Sequence, residues 1–96
     1  MNFGQAIEAL KAGSKVARKG WNGKGMFIYL VNGQKVIYDN LRNEAATALD
    51  SRNLRNAGKT ATINPHIDMK AADGSIVVGW LASQTDMLAE DWEIVR

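Results

Sequence analysis

Apolar positions change their spacing several times along this chain, and each change predicts an element. Near the start, Phe3, Ala6, Ile7 and Leu10 recur at the three- and four-residue steps of one helix face. Asn2 followed by Gln5 has the form of a capping box, and Gly13 supplies a C-terminal stop, so a helix is expected from about Phe3 to Ala12. Lys15 to Arg18 then reads as a short strand. Met26 to Val31 is an aromatic and β-branched run closed by Asn32-Gly33, with Lys35 to Tyr38 returning. Asn-Gly between two such runs predicts a hairpin, because a type I′ turn needs two residues at positive φ.

Residues 40 to 63 have a different character. Glu44 to Leu49 is alanine-rich and helix-prone, and Asn, Arg, Gly and Thr dominate from there to Ile63, which predicts an excursion from the sheet with one short helix. After Pro65, the segment His66 to Lys70 alternates Ile67 and Met69 with polar residues, and Asp73-Gly74 turns the chain into Ile76, Val77 and Val78 as a second hairpin. Ser83 with Asp86 three residues on predicts another helix start, with Met87 and Leu88 as its apolar face, and Trp92 to Val95 reads as a last strand. The sum is an α+β domain: a mostly antiparallel sheet of about five strands, an N-terminal helix and a short C-terminal helix.

At 96 residues, with 46% hydrophobic and 23% charged positions, one globular domain is expected, small enough that self-association would add to its stability. There is no cysteine, which excludes disulfides, thiolate nucleophiles and thiolate metal sites and fits a cytoplasmic location. No apolar run approaches the roughly 20 residues that span a bilayer, and no signal-like segment opens the chain, so neither membrane insertion nor export is expected. A net charge of +2 is too small to argue for duplex DNA. Its distribution says more: residues 1–24 carry five basic groups against Glu8, whereas residues 73–96 carry Arg96 against five acids. Ends of opposite charge are expected to pack near each other, within or between chains.

Few residues offer catalysis. His66 and Asp68 share one strand face, but two ligands make a poor zinc site, and the pair reads best as a hydrogen-bonded histidine within the sheet. Asp86 and Glu90, four apart on one expected helical face with Asp91 adjacent, form an imaginable acid/base device, outweighed by ordinary dipole and cap roles. Two clusters suit binding better. Gly20-Trp21-Asn22-Gly23-Lys24-Gly25-Met26 sets three glycines around a tryptophan, an amide and a lysine, and a strand follows where a dinucleotide fingerprint would need a helix. Its backbone N–H groups and Lys24 suit an anion, and Trp21 suits stacking on a ring. Trp80-Leu81-Ala82-Ser83-Gln84-Thr85-Asp86 adds an aromatic, hydrogen-bonding side chains and a helix start. Each cluster has a bland alternative of equal weight, a core tryptophan beside a turn or a cap. Neither supplies a nucleophile or a metal site, so the inventory favours binding over turnover.

The opening MNFGQAI, the GWNGKGM run at 20–26 and the tail PHIDMKAADGSIVVGWLASQTDMLAEDWEIV resemble the Thoeris anti-defence proteins of the second type. That resemblance implies a bacteriophage or prophage protein, a homotetramer built as a dimer of dimers, acting in the cytoplasm of the infected cell. Thoeris defence uses a TIR-domain enzyme to convert NAD into a cyclic ADP-ribose isomer that activates an effector. The resemblance implies sequestration of glycocyclic ADP-ribose without cleavage and without a cofactor, and for some members a separate site for cyclic di- or trinucleotides. By motif position, the expected ligand-binding residues are Trp21, Asn22, Gly23, Met26, Ser83, Gln84 and Asp86, with charge support from Arg18 and Lys24; residues 40–62 are the variable part. In this assignment Trp21 stacks on adenine, Gly23 N–H and the helix end near Ser83 take phosphate oxygens, and Asn22, Gln84 and Asp86 bind hydroxyls or base edges. The rival readings are a hydrolase of the same nucleotide with Asp86 or Glu90 as base, and an interaction module using the basic N-terminal patch.

Overall fold

Asn2 starts the first helix through reciprocal bonds: its Oδ1 accepts from the Gln5 N–H at 2.8 Å, and Gln5 Oε1 accepts from the Asn2 N–H at 2.9 Å. Helix α1 (Phe3–Lys11) follows, and Gly13, at φ 96°, ends it in the left-handed region that glycine enters at little cost. Strand β1 (Lys15–Arg18) comes next, then β2 (Phe27–Val31), β3 (Gln34–Ile37), α2 (Asn43–Ala48), β4 (Thr60–Ile63), β5 (His66–Lys70), β6 (Ile76–Val77), α3 (Gln84–Leu88) and β7 (Trp92–Val95). The computed structural model describes residues 1–96, which divide into two compact units: Met1–Val31 with His66–Arg96, and Asn32–Pro65.

The first unit is a five-stranded antiparallel sheet in the order β6-β5-β2-β1-β7, with α1 packed on it. Val16 faces Ile28, Ile28 faces Met69, and Arg18 faces Trp92. Because side chains alternate along a strand, this register puts Val16, Ile28, Met69 and Trp92 on one face. They form the core with Ala6 and Leu10 of α1, all nearly inaccessible to water. The expected second hairpin is present, with Met69 opposite Val77 and Lys70 opposite Ile76. The oppositely charged ends do meet, since β1 and β7 are paired from Lys15↔Val95 to Arg18↔Trp92.

The second unit corrects the first expected hairpin. Strand β3 pairs with β4, from Gln34↔Ile63 to Ile37↔Thr60, and not with β2. A strand has two hydrogen-bonding edges, and those of β2 are taken by β1 and by all five residues of β5. Asn32 and Gly33 also lack the positive φ that a type I′ turn requires. Gly33 has another use: a Cβ there would lie 2.6 Å from the Ile63 carbonyl oxygen and 2.9 Å from Pro65 Cδ. Helix α2 begins one residue before the expected alanine-rich stretch and otherwise falls within it, and the excursion includes a strand of its own. A second correction concerns α3, which stops at Leu88 because Ala89 is extended, so Glu90 does not share a helical face with Asp86.

Substituting Gly33→Ala should loosen the β3–β4 ladder and leave the main sheet intact. Hydrogen exchange should accelerate at residues 34–37 and 60–63 and stay unchanged at 15–18 and 92–95; uniform acceleration would contradict this account.

Candidate functional site

The two clusters expected to bind, sixty residues apart in sequence, are joined in the first unit by one carboxylate. Asp86, at the third position of α3, caps that helix, since Ser83 Oγ accepts from the Asp86 N–H at 3.1 Å while Asp86 Oδ2 accepts from the Ser83 N–H at 3.2 Å. Its Oδ1 accepts from Trp21 Nε1–H at 3.2 Å and from Arg18 Nη1–H at 2.9 Å. Its backbone carbonyl accepts from Trp92 Nε1–H at 3.0 Å. A residue that is 9% exposed therefore has both carboxylate oxygens satisfied, in keeping with a fold in which no buried side-chain polar atom lacks a partner.

Arg18 extends the network. Its Nε–H donates to Asp91 Oδ1 at 2.8 Å, and Asp91 Oδ2 accepts from the Gly20 N–H, also at 2.8 Å. A Cβ at Gly20 would sit 2.8 Å from that same oxygen, so the close approach depends on glycine. The far end of the loop is tied too, because Lys70 Nζ donates to the Gly25 carbonyl at 3.2 Å and Gly25 holds φ 75°. Between these anchors lie Asn22, Gly23 and Lys24, with Asn22 and Lys24 exposed. Gly23 packs tightly, its Cβ position lying 2.6 Å from Met26 Sδ and 2.7 Å from Ala72 Cβ, and Met26 rests against the core.

Three tryptophans form the surface beside this loop. Trp92 is the buried floor, 2% exposed. Trp21 lies edge-on to it at 5.3 Å between ring centroids, and Trp80 at 6.3 Å, while Trp21 and Trp80 meet each other at 6.2 Å. Such tilted contacts match the positive edge of one ring to the negative face of another. Phe3 of α1 closes the cluster from the other side, 5.5 Å from Trp92. Trp21 and Trp80 are half-buried, and Ser83 and Gln84, three and four residues after Trp80, are exposed.

The structure thus brings together Arg18, Trp21, Ser83 and Asp86, sets Met26 against Gly23 and the core, holds Asn22, Gly23 and Lys24 in the anchored loop, and leaves Gln84 exposed at the start of α3. Sequence reasoning left Trp80 and Asp91 out of the site. Trp80 was visible in the second cluster, whereas Asp91 showed itself only as a neighbour of Asp86 and Glu90 and as one of the acids of the charge asymmetry. His66 Nε2 lies 3.5 Å from Asp68 Oδ1, which also accepts from the Gly79 N–H at 3.0 Å, a sheet-stitching role. An open depression of about 660 Å³ lies elsewhere, lined by Asn43, Glu44, Thr47, Asp50 and Arg52 among others, and includes none of the expected ligand-binding residues.

The electrostatics follow from the geometry. Burial pushes the Asp86 carboxyl up, but hydrogen bonds from Arg18, Trp21 and Ser83 outweigh it and hold it below the ordinary value. Asp91 is lowered by the Arg18 guanidinium and by the Gly20 N–H, and Arg18 is raised by its bonds to Asp91 and Asp86. Both carboxylates are therefore ionised at neutral pH, the opposite of a base tuned toward neutrality.

Comparison with known proteins agrees with the tail and loop motifs. The model of the Thoeris anti-defense 2-like domain family matches residues 1–95. The chain belongs to this family. A relative named Thoeris anti-defense 2, from Bacillus phage SP01, is 40% identical over 95 residues, covering 99% of this chain and 94% of the relative. No helix is long and apolar enough to cross a membrane, and no group of three or more His, Asp or Glu side chains is placed to hold a metal ion.

A carboxylate with a depressed pKa contributes stability that is present above its unfolded value and lost as pH falls through the folded one. Asp86→Asn should therefore lower stability by about 1–3 kcal/mol at neutral pH, the scale of hydrogen bonds to a charged group. In urea titrations the gap from the unsubstituted protein should be constant above about pH 5 and narrow below about pH 4, as the native carboxyl protonates. A gap independent of pH down to the acid limit would show that the ionic bonds contribute nothing.

Proposed function

We propose that this phage-type anti-defence protein binds and sequesters a cyclic ADP-ribose isomer, glycocyclic ADP-ribose, and releases it unchanged. The observation that carries the reading is the pair of half-buried indoles, Trp21 and Trp80, beside a glycine loop anchored at both ends. An adenine needs an aromatic or thioether face, a pyrophosphate needs N–H groups or cations, and riboses need hydroxyl partners. Trp21 stacks on the base, with Met26 behind the loop; Gly23 N–H and Lys24 meet phosphate oxygens; Asn22, Ser83 and Gln84 bind hydroxyls or base edges. Arg18 and Asp86 act from beneath, since Asp86 Oδ1 already accepts from both Arg18 and Trp21.

A sponge acts by stoichiometry against an amplifying enzyme, so its affinity must be high; a Kd of about 10 nM corresponds to about −11 kcal/mol. One chain offers an open aromatic surface, and enclosure by a second chain supplies the water exclusion that such affinity needs. The homotetramer, a dimer of dimers, fits the apolar side chains that the first unit leaves exposed: Ile76, Val77 and Val78 at the sheet edge, with Leu81 and Leu88 89% and 79% exposed. Its place of action is the cytoplasm of the infected bacterium. Hydrolysis is the weaker reading, because Asp86 is an ionised, fully bonded carboxylate and Glu90 lies outside α3.

Purified protein mixed with glycocyclic ADP-ribose, freed of unbound ligand and then heat-denatured should return intact nucleotide in stoichiometric amount, identified by mass and retention time. A linear product would make the protein an enzyme, and an empty supernatant would reject this ligand in favour of cyclic oligonucleotides. Trp21→Ala should retain the fold and oligomer size while losing at least tenfold in affinity by calorimetry, because base stacking is commonly worth about 1–3 kcal/mol.

A further inference from the structure

We propose that Asp91 is a positioning residue for the ligand site: it orients the Trp21 indole through Arg18 and Asp86, and fixes the backbone beside it through Gly20. The proposal rests on the binding role given to Trp21 above. Two routes lead from the one carboxylate to the one ring. Asp91 Oδ2 holds the Gly20 N–H, immediately before Trp21, at 2.8 Å. Asp91 Oδ1 holds Arg18 Nε–H at 2.8 Å, and the other branch of the same guanidinium, Nη1, reaches Asp86 Oδ1 at 2.9 Å, the atom that accepts from Trp21 Nε1–H.

The chemistry of each member suits this relay. A guanidinium is planar, so fixing Nε–H on one carboxylate fixes the direction in which Nη1 points, which a flexible ammonium cannot do. An indole has two side-chain torsions, and a single acceptor on its only N–H, with the Trp92 and Trp80 rings packed against it, leaves little freedom in either. Both Asp91 oxygens have protein donors, which suits a support better than a ligand contact. Charge points the same way: Arg18 with Asp86 and Asp91 carries a net negative charge, unfavourable near a pyrophosphate unless geometry demands it.

The test uses glycocyclic ADP-ribose as the probe and two readouts, affinity by calorimetry and the near-ultraviolet circular dichroism of the tryptophan cluster. In Asp91→Asn, affinity should fall at least fivefold and the tryptophan spectrum should change, with the far-ultraviolet spectrum retained. In a Trp21→Ala background the same substitution should change affinity less than twofold, because residues acting in series are not additive. An unaltered affinity in folded Asp91→Asn, or an equal loss in both backgrounds, would overturn the positioning role while leaving the binding reading intact. Trp21→Ala binding as tightly as the unsubstituted protein would overturn both. Should Asp91→Asn fail to fold, Arg18→Lys, which keeps the charge but removes the fork, is read by the same criteria.

Discussion

The structure around the tryptophans depends on one cation held between two carboxylates. Arg18 ends β1, Asp86 sits in α3, and Asp91 immediately precedes β7, so a single guanidinium fixes three elements against each other. Withdrawing such charges from water is costly, and the attraction between them offsets that cost only where the remaining donors and acceptors are also satisfied. Here they are: Trp21 Nε1–H, the Ser83 N–H and the Gly20 N–H complete the two carboxylates. Removing Arg18 or Asp86 would leave a largely buried charge short of a partner.

Above that network Trp21 and Trp80, packed on the core ring of Trp92, form a layer that is neither core nor surface. Trp92 is fully buried and donates to the Asp86 carbonyl; Trp21 donates to the same residue's carboxylate; Trp80 meets both rings edge-on. Leaving large apolar rings half-exposed forgoes part of the gain from burial, of order 25 cal/mol per Å². A rigid, partly wet aromatic surface is suited to receive a planar ring.

Much of the first unit was legible in the sequence because its signals are local. Asn2 with Gln5 and Ser83 with Asp86 are capping boxes confined to four residues each, and Asp73-Gly74 needed only its flanking strands. The Asn32-Gly33 turn was misread because a local signal cannot report that both edges of β2 are already occupied by strands from elsewhere in the chain. In the same way, Asp86 was legible as a cap, but its bonds to Arg18 and Trp21 span more than sixty positions and leave no trace in spacing. The charge asymmetry of the two ends was the nearest thing to a long-range signal, and it identified a meeting without naming Asp91.

The pairing of β1 with β7 also governs the order of events when the chain is made. Lys15–Arg18 finds one of its two neighbours at Trp92–Val95, and β2 finds one of its own only at His66–Lys70. Local elements such as α1, and the Asn32–Pro65 unit with its own β3–β4 ladder, have what they need early. The sheet that carries the tryptophans must wait, because loop closure over that many residues is slow and nothing nearer substitutes for the missing strands. On a ribosome, therefore, Arg18 remains without its carboxylates, and Val16 and Ile28 without full cover, until residues 86–95 have been added.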